Sequence, residues 1–452
     1  MEKFDYLITG SDVQTLAFAQ SLLRDPDQTL ALVDCHARPG AARLDLSHAA
    51  VPATFGLPDQ PFGKWDAAHP KPGTRSASAY LDWVLQDRLL PTGRVRYFPR
   101  SVHWGSGRIE TLDTGHLTHV TIAKKTVRTL APNHPPWHAH IPCFRVEPGV
   151  NIMTARAAAA LPSDVWDKAP QIAVLGAGRV AMNIALDLLG QGVPGERIVW
   201  VRNRDPWLLN ADGLYRTATD HAGRLVHAAT ILRNIARAVS TDEVCARLER
   251  LGLLLRLSPD IRPSVFRGVA STHDEIKRLQ AITHIVRKGH VHGISPIGML
   301  LDHGAEPMHV DSIYIDCTSS PPPQRARPPV FQDDLIHLQS MTLCPPGFDA
   351  ALIGEIETLA LTDQEKNDLC APLPVARDAK DVIPALLGHL INQRIWMLDA
   401  AMGPWLQRHP VPGLSPPPKP SRLQGPSSDW KQYRAAMVPA IATLQMLADE
   451  AA

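Results

Sequence analysis

The stretch that most restricts how this chain can fold is Val174-Leu175-Gly176-Ala177-Gly178-Arg179-Val180-Ala181. It follows an apolar run, Gln171 to Leu175, that reads as a strand, and it opens a run of helical spacing from Ala181 to Leu189. Glycines between a strand and a helix have a mechanical meaning. The first permits a tight turn, the second lets backbone N–H groups approach a ligand, and a small third residue lets the helix lie close to the strand. Gly176, Gly178 and Ala181 fill those places, with Ala177 and Arg179 between them. A helix N-terminus carries partial positive charge and unpaired N–H groups, so the loop suits the pyrophosphate of a dinucleotide. The alternative is a tight turn that binds nothing.

The next strand, Arg197 to Val201, runs into Arg202-Asn203-Arg204-Asp205. Proteins that bind NAD place an acidic residue at this point for the adenine ribose. Two guanidiniums suit a 2′-phosphate instead, because Arg presents planar, paired donors to phosphate oxygens. Arg202 and Arg204 therefore favour NADP(H) over NAD(H), with Asp205 as a carboxylate able to neutralise one of them. Trp200 and Trp207 flank the segment and read as core rather than as stacking platforms.

The same pattern occurs at the N-terminus in altered form. Asp5 to Thr9 reads as a strand, Leu16 to Leu23 as a helix, and Leu30 to Val33 as a second strand that ends in Asp34. The loop between them, Gly10-Ser11-Asp12-Val13-Gln14-Thr15, keeps only the first glycine. Asp12 brings a carboxylate to the place where phosphates should approach. Two like charges 4 Å apart repel by about 4 kcal/mol at an effective dielectric of 20. Asp34 stands where it can accept from a ribose hydroxyl, with Arg38 and Arg43 downstream as possible charge compensation.

At 452 residues the chain is long for one core, so two or three domains are expected. Lys plus Arg total 46 against 45 for Asp plus Glu, a balance that argues against nucleic acid as a partner. No apolar run is long enough to cross a bilayer, so no membrane contact is expected, and the opening residues lack a secretory pattern, which points to the cytoplasm. The six cysteines show no zinc or redox spacing and read as separate thiols. His290/His292 and His138/His140 pair imidazoles without an evident third ligand, and no metal is expected. Residues 40–165 carry few periodic runs, with a helix expected over Ser78 to Leu89. Ser312 to Thr318 reads as a strand that re-enters the first sheet. Helices follow over Asp349 to Ala360 and Val382 to Leu398, then a Pro-rich linker and an amphipathic helix, Trp430 to Leu447.

From the Asp34-Cys35-His36-Ala37-Arg38-Pro39-Gly40 segment, the Gly176 to Ala181 loop, Trp200 to Leu209 and the strand Tyr314 to Cys317, the chain resembles the flavin-containing monooxygenase-like flavoproteins. The resemblance implies two Rossmann-like dinucleotide-binding domains in an α/β fold, the second inserted in the first, with a helical C-terminal region. The implied divisions are 1–165 for the first part of an FAD-type domain, 166–310 for an NADP-binding domain, and 311–409 for the return to the first domain. A linker at 410–428 and a terminal helix at 429–452 complete the chain. In that family NADPH reduces FAD, and the reduced flavin reacts with oxygen to oxygenate a substrate. Gly10 and Asp34 match FAD positions, while Asp12 and Thr15 depart from them. Three expectations stand together: an NADPH-dependent oxidoreductase acting on a small organic substrate with FAD, a flavin-free NADPH-dependent reductase of an imine or carbonyl, and a noncatalytic homologue serving as scaffold or partner subunit. No catalytic side chain is identified.

Overall fold

Strands Ile172–Leu175, Ile198–Val201 and Ile313–Asp316 are buried at every position, as strands are when a parallel sheet is covered on both faces. The computed structural model describes residues 2–40, 51–69, 76–130, 142–214, 221–318, 327–409 and 428–451. In it these strands join His284–Val286 and Asn151–Thr154 in a five-stranded parallel sheet, ordered His284–Val286, Ile198–Val201, Ile172–Leu175, Ile313–Asp316, Asn151–Thr154. Side chains alternate between its faces with period two. Ile172, Val174, Trp200 and Ile315 meet Met182, Ala185 and Leu188 of helix Arg179–Gly190. Ala173, Leu175, Val201 and Tyr314 meet Ile294, Met299 and Leu301 of a four-stranded sheet built on Val291–Ser295 and Gly298–Leu301.

This corrects one expectation. The strand over 312–318 does not re-enter the first sheet: Ile313–Asp316 pairs with Ile172–Leu175 on one side and Asn151–Thr154 on the other. Four consecutive buried residues need cover on both faces, and the second sheet offers that, its central strand bringing Gly176 against the Cys317 carbonyl. Asn151–Thr154 likewise belongs to the second sheet, although it precedes the glycine loop in the chain.

The first sheet has eight strands, with the path Phe331–Gln332, Leu335–Leu338, His116–Thr129, Glu2–Thr9, Leu30–Val33, Val95–Phe98. Ser101–His103 and Arg108–Thr111 extend His116–Thr129 as an antiparallel meander. Tyr6, Ile8, Leu32 and Val127 pack on helices Val13–Leu22 and Pro346–Glu357, while Leu7, Ala31 and Val33 face Ile109 and Val120 of the meander. Chain returns to this sheet come through Leu335–Leu338, parallel to His116–Thr129. The region 40–165, which looked irregular in sequence, is therefore rich in strand, and a helix does form over Ala77–Trp83.

A third core unites the excursion between Val201 and His284 with the C-terminal helices. Leu225, Ile231, Val244 and Phe266 pack with Leu386 and Leu390 of helix Val382–Leu398 and with Tyr433, Met437 and Leu444 of helix Ser428–Ala451. No helix among the described residues is long and apolar enough to cross a membrane. None of the six cysteines forms a disulfide. Arg43, His138, His140 and most of the Pro-rich stretch lie outside the described residues.

Candidate dinucleotide site

The Gly176 loop sits at the carboxyl end of the second sheet, where the strand order reverses: the chain runs from Ile172–Leu175 outward through Ile198–Val201 to His284–Val286, then crosses to Ile313–Asp316 on the other side. Such switch points form crevices in open α/β sheets. Gly176 adopts φ +121°, and a Cβ there would lie 3.0 Å from the Cys317 carbonyl oxygen. Its N–H donates to the Val201 carbonyl at 2.9 Å, and its own carbonyl accepts from Trp200 Nε1 at 2.8 Å. Trp200 is thus fully buried core that also braces the turn. Gly178 is the N-cap of helix Arg179–Gly190, with φ −85° and ψ 178°. It offers no side-chain acceptor, and a Cβ added there would meet nothing within 4 Å. The helix N-terminus is therefore uncapped and faces open space, while Ala181 is fully buried against the sheet side.

Arg179 does not point its charge into this space. It pairs in two-pronged fashion with Glu275, at 2.6 and 2.8 Å, and donates to the Ala270 carbonyl at 3.0 Å. Burial disfavours the Glu275 carboxylate, but bonds from Arg179, Ser271 and Thr272 outweigh that and hold it below its usual range.

At the end of the neighbouring strand the two expected arginines have different fates. Arg202 is buried, its Nε 2.9 Å from Asp205 Oδ1, its Nη2 donating to Ser258 Oγ at 2.9 Å, and its guanidinium 4.7 Å from the Trp200 ring centre. Burial lowers its pKa to about 10, with Asp205 opposing and Arg287 adding to the shift. Arg287 shares both partners, donating to Asp205 at 2.8 Å and to Ser258 at 2.8 Å. Asp205 is thus committed to Arg202 and Arg287. Arg204 is exposed and pairs with Asp378 at 2.9 Å. Arg267 is held below its ordinary range by partial burial and by the nearby charges of Arg204 and Arg377, with Asp378 opposing. Sequence reasoning missed Arg267, inside strand Val265–Ser271, and Arg287, just past His284–Val286, because both lie far along the chain from residue 202 and carry no local signal.

The first glycine loop has the same backbone and a different filling. Gly10 adopts φ +98°, and its N–H donates to the Val33 carbonyl at 2.7 Å, matching Gly176 and Val201. Asp12 is the N-cap of helix Val13–Leu22, with φ −85° and ψ −178°, the conformation of Gly178. Its carboxylate accepts from Gln14 N at 2.9 Å, Thr15 N at 3.0 Å and Thr15 Oγ1 at 3.2 Å. The N–H groups that would meet a phosphate are consequently taken by the chain itself. Burial raises the Asp12 pKa, against the pull of those bonds.

Asp34 is occupied too. It accepts from Ser11 Oγ, from the His36 N–H at 2.8 Å, and pairs with His36 Nδ1 at 3.0 Å. The bonds from Asp34 and Cys35 raise the His36 pKa to about 9, although burial opposes them. The Gly40 N–H closes over the loop onto the Ser11 carbonyl at 3.1 Å. On the far side, a Cβ at Gly347, in the first turn of helix Pro346–Glu357, would lie 2.2 Å from the Gly56 carbonyl oxygen. These residues do not fit FAD in the pose that Gly10 and Asp34 suggested, because its pyrophosphate and ribose positions are filled by Asp12, Ser11 and His36. Arg38 is exposed at the surface.

His290 and His292 each bond one oxygen of Asp302, at 3.0 and 2.5 Å, on an exposed hairpin. Trp207 is buried in the third core, 5.9 Å from the Arg256 guanidinium.

No protein-family model matches the chain. Uncharacterised proteins of Mycobacterium tuberculosis and Mycobacterium bovis are 32% identical to it over 420 residues, covering 89% of this chain and 76% of theirs. Among solved structures, a variant flavin monooxygenase from Stenotrophomonas maltophilia is 15% identical, with 82% of this chain and 100% of that one covered and a TM-score of 0.45. A water-forming NADH oxidase from Lactobacillus brevis is 11% identical, covering 80% and 70%, with a TM-score of 0.40. An ornithine N-hydroxylase from Kutzneria is 14% identical, covering 70% and 81%, with a TM-score of 0.41.

Proposed function

The chain belongs to the same family as these uncharacterised mycobacterial proteins, and we propose that it is an oxidoreductase that binds NADP(H) at the Gly176–Ala181 loop and acts on a small organic substrate without flavin in the first loop. One observation carries this reading: two turns share one backbone conformation, and only the second leaves its helix N-terminus open. When bound, the nicotinamide would supply or accept a hydride. The chain's part is to hold it. Gly176 and Gly178 admit the pyrophosphate to the helix N-terminus, and Trp200 and Cys317 fix the turn. The preference for NADP(H) over NAD(H) rests on Arg204 and Arg267, whose gathered positive charge suits a phosphate dianion. Arg202 serves beneath them, anchoring Asp205 and Ser258.

The closed first loop favours direct reduction of an imine or carbonyl over flavin-mediated oxygenation. Exchanging the two cap residues tests the reading. Calorimetry should show NADPH binding to the wild-type chain, and Gly178→Asp should weaken it about 30-fold to 1,000-fold, since a self-capping carboxylate near phosphates costs about 2–4 kcal/mol. Purified protein should be colourless, while Asp12→Gly should gain measurable FAD affinity. A wild-type chain that fails to bind NADPH removes the proposal; binding without substrate-dependent NADPH consumption, but with altered affinity for a partner protein, would replace the enzyme with a scaffold.

A further inference from the structure

The filled first loop leaves three adjacent side chains converging where a ribose would otherwise lie. Asp34 ends strand Leu30–Val33, and Cys35 and His36 follow in the turn. His36 Nδ1 lies 3.0 Å from Asp34 Oδ1 and 3.4 Å from Cys35 Sγ, and one ligand atom from each residue lies within 4.8 Å of the others. Among the described residues, no other group of His, Cys, Asp and Glu brings three ligand atoms so close. The His290, Asp302 and His292 set does not, because its imidazoles reach opposite oxygens of one carboxylate.

We propose that Asp34, Cys35 and His36 bind a zinc-class divalent cation. Bond lengths of about 2.0–2.3 Å in a tetrahedral shell put neighbouring ligand atoms roughly 3.3–3.7 Å apart, near the 3.0 and 3.4 Å that His36 Nδ1 already keeps from Asp34 and Cys35. Oxygen, sulfur and nitrogen together suit a borderline-soft transition metal rather than magnesium or calcium.

The turn is held from outside, as metal ligands generally are. Ser11 Oγ donates to the second oxygen of Asp34. The Ser101 N–H donates to the Asp34 carbonyl at 2.8 Å, and the Arg100 N–H donates to the His36 carbonyl at 3.0 Å. Both ends of the tripeptide are thereby pinned to the strand edge beside it. Asp34 is buried, whereas Cys35 and His36 are partly exposed, so an ion can enter from their side.

Three protein ligands leave the fourth position for water or a substrate atom, the arrangement of catalytic rather than structural zinc. Nearby, the Tyr97 hydroxyl is shielded from solvent beside Ser11. Uptake of each ion releases the thiol proton of Cys35 and the proton that His36 Nδ1 shares with Asp34, leaving thiolate, carboxylate and neutral imidazole around the cation. This site does not depend on the nucleotide reading of the second loop, and its test uses no nucleotide.

The probe is Co(II), added to the full-length chain after chelator treatment under reducing conditions. The expected result is a near-ultraviolet thiolate-to-cobalt charge-transfer band and visible bands of a tetrahedral ion, saturating at one equivalent and abolished by Zn(II). Cys35→Ser should eliminate the charge-transfer band, and Asp34→Asn should lower Zn(II) affinity by about 10-fold to 100-fold. Cys143 is exposed, whereas Cys35 and Cys317 are half-buried, and Cys143→Ser should leave the spectrum unchanged. Absence of saturable binding to the wild-type chain below 100-fold excess overturns the site. Persistence of the band in Cys35→Ser, or its loss in Cys143→Ser, does the same.

Discussion

Asp12 and Gly178 stand at equivalent cap positions, so the chemical contrast between the two loops reduces to one side chain acting on the first turn of a helix. Arg204 offers a related test at single-residue resolution. Being exposed and paired with Asp378, which is exposed as well, it contributes little to folding. Arg204→Ala should therefore leave the melting temperature within about 1 °C and weaken NADPH by roughly 5-fold to 100-fold, with NADH affinity unchanged, as titration of both coenzymes would reveal. Elsewhere two buried groups set opposing pH dependences. Asp349 accepts from Thr342 Oγ1 at 2.7 Å and from the Met341 N–H at 3.1 Å, and burial pushes its pKa up to about 7. His389 accepts from the Leu343 N–H at 3.2 Å, and burial pushes its pKa down to about 3. The unfolded chain binds or releases these protons near the ordinary values of 3.8 and 6.5. For Asp349 the stabilising difference is present below pH 3.8 and declines as pH rises to about 7; for His389 it is present above pH 6.5 and declines as pH falls to about 3. The two slopes oppose each other between them. Urea midpoints of Asp349→Asn should rise from pH 4 to 6.5, and those of His389→Gln should fall; parallel profiles for both would refute the linkage.

Helices Val13–Leu22 and Pro346–Glu357 cross closely because Gly354 has no side chain: a Cβ there would lie 2.8 Å from Ser21 Cβ and 2.9 Å from the Phe18 carbonyl oxygen. Gly354→Ala should cost about 1–3 kcal/mol by overpacking, read as a lower denaturation midpoint, and should leave nucleotide binding at the other sheet unaltered. The elements differ in how much of them a reader of the sequence can see. The second glycine loop is legible in full, because turn, cap and helix face are written in eight consecutive residues. Helix Val382–Leu398 is visible for the same reason, as an unbroken local pattern. Asn151–Thr154 is hidden, since its polar ends and short length gain meaning only from a partner far along the chain. His116–Thr129 is hidden by its exposed Lys124, His116 and His119, and only Val120, Val127 and Thr129 are buried. Arg202 shows where local reading stops. Its burial depends on Ser258 and Arg287, and nothing near residue 202 announces either.

Across the whole molecule, the first two sheets are tied to a third core that the C-terminal helix completes. Helix Ser428–Ala451 supplies Trp430, Tyr433, Met437, Ala440, Leu444 and Leu447 to it. At about 1.5–3 kcal/mol for each large apolar side chain, removing that helix takes away as much as the net stability of an ordinary domain. Truncation after residue 427 should therefore bind a dye specific for exposed apolar surface and lose cooperative unfolding of the region around Leu225 to Phe266. Retention of a single sharp transition would show that the third core closes without the helix. The order of pairing has one more effect, felt while the protein is being made. Asn151–Thr154 has Ile313–Asp316 as its neighbour in the sheet, so it leaves the ribosome about 160 residues ahead of the strand that will hold it. At synthesis rates of about 5–20 residues per second, that edge waits unprotected for ~8–30 s, long enough for chaperone capture to decide how much of the chain reaches its folded state.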